Sequence, residues 1–484
     1  MRIKADYISI FIWICSFILS FLMLFFSASG FSMEPNLVLF VAILGCLLFL
    51  WRRSLFSFVR ENYRICLVVG IIIGVIVRAF PLLLNWTYSC LNDLSDTGVH
   101  YYGAQELVAG VLEGKIINYE KMFPYLYPYT YMLSIFVRIT FGNIKMAIIL
   151  SNIIFDYTGI FLVYKILKMI KGKNSAMLGM LLAIMNPFSI VSCWIPLNLI
   201  LVNLFLLAII YICIRIIIET NVRKTYFECL LLGGVVCIAN YFRPVFSVAV
   251  IAVIIILVIK YIREKNVSLL IAGCIMLGAL MLPTAIINGK INNYFEENIM
   301  DNASGWSFFV GSNYESKGQW SATDRDYFFG EIVPYYTKNE ARSIIMEKGF
   351  ERYSKYTMSL LANHVANKMS VLFADEGNAI YDIKYCFGIS EDSWKYQLLY
   401  SIVSFYFVIL TIFNLVNNFY ASNKYDILMF LRLLVLGFSA SFLLVEVMNR
   451  YTFIVYPVLI IISAMCINDL IDKFVIGKGQ FMHK

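Results

Sequence analysis

An all-α polytopic membrane protein is what this sequence predicts, and three observations carry the expectation. Hydrophobic residues make up 61% of the 484 and charged residues only 14%, with a mean hydropathy of +0.77; so little polar surface does not clothe a soluble globule. Apolar runs recur at the roughly 20-residue length that crosses about 30 Å of hydrocarbon as helix, the open-ended element that satisfies its own backbone there. Lys and Arg gather in alternate loops, as the positive-inside rule asks of cytoplasmic ones.

The first apolar run follows Arg2 and Lys4 and is too long for the core of a cleavable signal, so it reads as a retained helix over 7–27. With a helix at 36–51 it makes a transmembrane hairpin within residues 1–62. Residues 63–287 form a transmembrane core with helices at 64–84, 145–165, 174–193, 196–215, 226–241, 245–262 and 268–287. The C-terminal part, 396–484, adds helices at 396–417, 427–446 and 451–470, about twelve in all. The apolar run 127–142 reads as a surface or re-entrant helix, because counting it as a span would place Lys165, Lys168, Lys171 and Lys173 outside.

With that choice both termini, and with them Arg52, Arg53, Arg60, Arg64, Arg223, Lys224, Lys260, Arg263, Lys265 and Lys424, fall on the cytoplasmic side of what is expected to be a bacterial plasma membrane. These residues account for most of the net charge of +8, so the basic balance speaks of topology and not of nucleic-acid binding. The eleven cysteines are scattered singly with no CxxC pair, which argues for packing and against zinc or redox chemistry.

Two long external segments remain, 85–144 within the core and 288–395 after it, and together they can roof a cavity. In the first, Ser95-Asp96-Thr97 opens a helix expected over 97–113, in which Asp96, His100 and Ala104 share one face. Asp96 is the candidate catalytic acid–base group, with a simple N-cap role for Ser95 or Asp96 as the alternative. Candidate substrate-binding residues are His100 and Tyr101 beside it, Tyr127 in the tyrosine-rich stretch 125–131, and Asn313 and Trp320 in the second segment. Such aromatics serve either as stacking platforms for sugar rings or as an interfacial belt. Asp96 and His100 are two potential metal ligands without a third, so no metal site is assigned, and a divalent metal is left as a cofactor without support.

Two arginines break the charge asymmetry, Arg243 in Asn240-Tyr241-Phe242-Arg243-Pro244 and Arg450 in Glu446-Val447-Met448-Asn449-Arg450-Tyr451, and a third, Arg78, lies within the membrane near the outer end of its helix, where it faces a partner or a water-filled cavity or snorkels outward. Guanidinium groups at one membrane face suit bidentate binding of phosphate. Interfacial anchoring, or for Arg450 an ion pair with Glu446, is the alternative. Asp156 lies in the middle of a span and is expected to pair with a neighbouring helix.

Asp96 with Ala104 and Gly110, the stretch Pro124 to Gly142, Asn186-Pro187, Trp194-Ile195-Pro196, Arg243-Pro244, and Arg450-Tyr451 with Pro457 occur in an order that resembles the GT-C superfamily of membrane glycosyltransferases. The resemblance covers about 63 to 470 and is strongest to bacterial relatives of protein O-mannosyltransferases and lipid A aminoarabinose transferases, the glycosyltransferase family 39-like enzymes. Thr97 and His100 depart from the second acid and the tyrosine that the family often has there. The resemblance implies a GT-C fold and transfer of a sugar, with inversion, from a polyprenyl-phosphate donor to a lipid, wall-polymer or protein acceptor on the extracytoplasmic face. It implies Asp96 as base and Arg243, Arg450 and Arg78 as donor-phosphate ligands. A flippase or transporter, or a polymerase, of lipid-linked saccharides is the reading from a different class.

Overall fold

The computed structural model describes residues 2–29, 63–84, 86–88, 91, 95–111, 119–120, 123–295, 304–374, 380–420 and 426–471, and among them there is no strand. In chain order the helices are α1 (Arg2–Ser29), α2 (Tyr63–Arg78), α3 (Asp96–Val108), α4 (Tyr127–Ile139), α5 (Ile144–Lys171), α6 (Lys173–Ile184), α7 (Pro187–Ser192), α8 (Leu199–Ile218) and α9 (Val222–Phe242). They continue as α10 (Ser247–Glu264), α11 (Ser268–Phe295), α12 (Ser304–Gly311), α13 (Lys338–Ser354), α14 (Met358–Phe373), α15 (Asp382–Phe387), α16 (Trp394–Tyr420), α17 (Asp426–Leu444) and α18 (Tyr456–Ile471). Seven of these, α1, α5, α8, α9, α11, α16 and α17, contain a stretch long and apolar enough to cross a membrane. α2, α6 and α18 are apolar but shorter, and α10 carries Lys260, Arg263 and Glu264 in its last turns.

The expected spans and the observed helices differ where local chemistry interrupts a run. The helix expected over 174–193 is broken after Ile184: Asn186 is extended, and Pro187 starts α7 at the position where its missing N–H costs nothing. The helix expected over 64–84 stops at Arg78, and Pro81 opens a separate short turn over Phe80–Leu83. The segment kept out of the membrane is α4, only 13 residues and so about 20 Å long, too short to span. The hairpin partner expected at 36–51 lies outside the described residues.

α8 is buried along most of its length and packs on α5, α9 and α10. α9 and α11 approach most closely at Gly233, where a Cβ would stand 2.5 Å from the Met276 carbonyl oxygen, so only a glycine admits that contact. On α2 the residues Ile65, Val68, Ile72, Ile73 and Ile76 face outward, as do Met281, Leu282 and Ile286 on α11, in the manner of helices meeting lipid. The two long connecting segments share one core, in which Val99, Phe123 and Leu126 of the first pack with Trp306, Phe309, Val310, Phe328 and Ile345 of the second. Trp306 is therefore a core residue.

α18 sets the scale between the two ends of the bundle. Arg450 precedes it, Asp469 near its far end pairs with Lys171 at 2.9 Å, and its 16 residues rise about 24 Å. The basic termini of α5, α9 and α10 thus lie at the opposite end from Arg243 and Arg450.

Arg78, expected to help bind donor phosphate, instead stitches helices together. Its side chain is fully buried, its Nε donates to Asp156 Oδ2 at 2.6 Å, and its Nη1 donates to the Gly74 and Ile184 carbonyls at 3.2 and 3.1 Å. Ser189 Oγ donates to the other Asp156 oxygen at 2.6 Å, so one ion pair ties α2, α5, α6 and α7. The expectation that Asp156 pairs across helices holds, and the same pairing withdraws Arg78 from a donor site.

Arg78→Met, which orphans the Asp156 carboxylate, is expected to cost about 3–5 kcal/mol of stability, and adding Asp156→Leu to recover most of it. Thermal unfolding of the two purified proteins in detergent measures this; equal stability of the single and double variants would contradict the pairing.

Candidate active site

Asp96 reaches the site because a neighbour takes over the capping role. Ser95 is extended and its Oγ accepts from Gly98 N at 3.1 Å, which makes Ser95 the N-cap and Asp96 the first residue of α3. The Asp96 carboxylate is left to point away from its own helix, and Arg450 Nη2 donates to its Oδ2 at 2.6 Å. The second arm of Arg450 donates from Nη1 to Asp382 Oδ1 and Oδ2 at 2.9 and 2.8 Å. Arg450 and Asp382 are nearly buried, with side chains 13% and 10% exposed, whereas the Asp96 side chain is 38% exposed. Asp96 therefore forms the open edge of the group. Arg450 pairs with these two acids and not with Glu446.

Arg450 is set in place by the stretch before it. Glu446 N donates to Ser307 O at 2.6 Å and Val447 N to Gly318 O at 2.9 Å, which lays residues 446–447 along the second long segment. Lys368 Nζ is fully buried and donates to the Leu443 and Val445 carbonyls at 2.9 and 2.8 Å. Gly311 allows the closest approach, since a Cβ there would stand 2.3 Å from the Val445 carbonyl carbon. Burial and the nearby Asp96 push Glu446 up to about 7, against the pull of Arg450, Arg243 and Lys368. Burial lowers Lys368 to about 7.

Arg243 is held differently. Pro244 keeps the preceding residue extended (φ −162°, ψ 121°), and Asn198 and Asn240 brace the turn through Phe242 O and Phe246 N at 2.9 and 3.2 Å. The guanidinium lies over the rings of Tyr451 and Phe453, 4.9 and 5.0 Å from their centroids. It makes no hydrogen bond or ion pair among the described residues, so its N–H edges stay available while its face is stacked.

His100, one turn after Asp96, is buried; its Nδ1 lies 2.8 Å from Thr130 Oγ1 and its ring meets Tyr129 edge-on at 4.8 Å. Burial first, and Arg450 second, lower its pKa to about 4 against the pull of Asp96. Burial and then Asp96 push the phenols of Tyr119 and Tyr125 up, which places both beside the same carboxylate.

The structure thus brings Asp96, His100, Arg243 and Arg450 together from stretches far apart in the chain. The other expected residues make the following contacts. Tyr101 packs against Tyr88 and Tyr102, with ring centroids 5.2 and 5.1 Å away. Tyr127 is exposed and stacked on Tyr131. Asn313 closes a local turn, donating to Asp324 Oδ2 at 2.9 Å and accepting from Glu315 N and Ser316 N. Trp320 is exposed beneath Arg325, next in sequence to Gln319, whose side chain reaches Asn449 Oδ1 at 3.5 Å.

Asp382 and Lys368 escaped the sequence reading. Both belong to a long polar segment with many charges, and only their tertiary partners set them apart. Among the described residues no group of three or more His, Cys, Asp or Glu side chains is placed to hold a metal. No family model matches the sequence, and no curated protein matches it significantly.

Gly311→Ala is expected to push residues 445–446 off their seat, costing about 1–3 kcal/mol and displacing Arg450. Gly330, where a Cβ meets open space, serves as the control. Calorimetric unfolding of both alanine variants tests the contact, which is refuted by equal transition temperatures.

Proposed function

We propose that this protein is an inverting glycosyltransferase of GT-C type, with about twelve membrane helices, that moves a sugar from a polyprenyl-phosphate donor to an acceptor hydroxyl at the extracytoplasmic face of a plasma membrane. The observation that carries the reading is the contact between Asp96 and Arg450, 354 residues apart, with Arg243 stacked beside them at the end of the bundle opposite the basic helix termini. Positive-inside bias assigns those basic termini, and with them the chain ends, to the cytoplasm, and hence the cluster to the outer face.

The chemistry suits these groups. Asp96 keeps Oδ1 without a hydrogen bond among the described residues while Oδ2 is held by Arg450. Oδ1 accepts the proton of the acceptor hydroxyl as its oxygen attacks the anomeric carbon. The bond from that carbon to the phosphate oxygen breaks, its electron pair leaves with the polyprenyl phosphate, and the anomeric centre inverts. No strong general acid is required, because the phosphate monoester is a good leaving group. Arg243, with unused N–H edges, is the first ligand of the departing phosphate, and Arg450 adds its charge from behind Asp96, a preorganised stabilisation of developing negative charge. The exposed Trp320, adjoining Gln319, offers a face for a sugar ring near this edge.

Asp96→Asn keeps the shape of the side chain and should leave folding intact while lowering turnover by about 100-fold or more. Arg243→Ala should weaken donor use by about 100-fold, with Arg243→Lys recovering part. Purified protein, radiolabelled polyprenyl-phosphate sugar and counting of transferred label measure both. Near-normal transfer by Asp96→Asn would remove the mechanism, and movement of labelled lipid across vesicles without transfer would make the protein a transporter.

A further inference from the structure

Three polar side chains are buried in a row behind Asp96. His100 is 1% exposed, Thr130 0% and Glu120 3%. His100 Nδ1 lies 2.8 Å from Thr130 Oγ1, and Thr130 Oγ1 donates to Glu120 Oε1 at 2.5 Å, a much shorter contact than the 3.3 Å to its other acceptor, the Leu126 carbonyl oxygen. A hydroxyl has one proton to give. With that proton directed to Glu120, the contact to His100 requires the ring to donate from Nδ1, and a neutral imidazole that donates there keeps its lone pair on Nε2. Among the described residues Glu120 Oε2 is buried without a hydrogen-bond partner, and the Thr130 hydroxyl is the side-chain donor that steadies this carboxylate. The free nitrogen belongs to a residue one helical turn from Asp96, on the same face of α3.

We propose that Glu120 and Thr130 are positioning residues that hold His100 in its Nδ1–H form, so that Nε2 accepts a hydrogen bond from the hydroxyl-bearing acceptor beside Asp96. The proposal rests on the glycosyl-transfer reading of Asp96 and names the part of the site that orients the acceptor. It also contains its own reversal. When Glu120 takes up a proton, it donates to Thr130, Thr130 donates to His100 Nδ1, and the ring proton moves to Nε2, which then repels the donor hydroxyl it had welcomed. Burial, and secondarily Glu106, push Glu120 up to about 7 against the Thr130 hydrogen bond, while His100 stays neutral. The charged and titratable groups acting on the row are Asp96 and Glu106 from α3, Arg450 from the turn before α18, and the Tyr129 phenol of α4.

The chain has only three histidines, His100, His364 and His483, so ¹⁵N-histidine labelling of the full-length protein in detergent reads the ring directly, with His364→Gln and His483→Gln for assignment. Above about pH 8 the wild-type His100 should carry its proton on Nδ1, and lowering the pH through about 7 should shift it to Nε2. Thr130→Val should show Nε2–H throughout, with kcat about 100-fold lower and donor KM unchanged, and Thr130→Ser should restore both. Glu120→Gln, which does not titrate, should abolish the pH-dependent exchange. Nε2–H in the wild type at high pH, exchange that persists in Glu120→Gln, or wild-type kcat in Thr130→Val would each overturn the proposal. The ring signal needs no turnover, so it decides the row even if normal transfer by Asp96→Asn disposes of the enzyme reading.

Discussion

A single guanidinium fork holds the site together. Arg450 offers one edge to Asp96 and the other to Asp382, and the three residues come from the start of the first long segment, the end of the second and the turn before α18. Lysine, with one rotatable nitrogen, does not bridge two carboxylates in this planar way. Removing Arg450 leaves the nearly buried Asp382 carboxylate without its cation, which is far more costly than the pair is stabilising, whereas loss of the more exposed Asp96 charge leaves the Arg450–Asp382 pair intact. The surrounding contacts are arranged to keep the fork in register: Lys368 ties down the carbonyls at 443 and 445, and the bare backbone of Gly311 lets the chain at 445–446 pass close by.

The three arginines flagged by their position show how packing assigns different duties to one residue type. Arg78 is sealed against Asp156 and two carbonyls, and it organises helices. Arg450 is satisfied by two acids and acts as an electrostatic frame. Arg243 is gripped by its face between Tyr451 and Phe453, which fixes where it is without consuming its hydrogen-bonding capacity. A ligand anion needs a cation of the third kind.

Much of the helix order was legible in the sequence, because membrane spans announce themselves by length and hydropathy, whereas the breaks beside Pro187 and Pro81 were missed because a hydropathy window smooths over them. Arg243 and Arg450 were legible as cations on turns where charge asymmetry disfavours idle ones, and Asp96 as an acid opening a helix. Asp382, Lys368 and the Thr130–Glu120 pair were not. Their significance lies in partners 10 to 77 residues away, and nothing local distinguishes Asp382 from Asp324, which a salt bridge to Arg352 at 2.7 Å shows to be structural. The aromatic residues were ambiguous from sequence: Tyr101 packs on Tyr88 and Tyr102 and Tyr127 stacks on Tyr131, and a ring suited to stacking on a sugar is equally suited to such packing.

The bond between Arg450 and Asp96 also bears on the sequence of events in the proposed reaction. As it stands, the carboxylate that would accept a proton is engaged at Oδ2 by the guanidinium. An incoming phosphate that draws Arg450 toward itself loosens that bond and releases the carboxylate at the moment a sugar is within reach. Donor and acceptor would then enter in a compulsory order, carrier first, and an acceptor arriving at an empty enzyme would find the carboxylate still tied to Arg450, a bias that product-inhibition kinetics would expose.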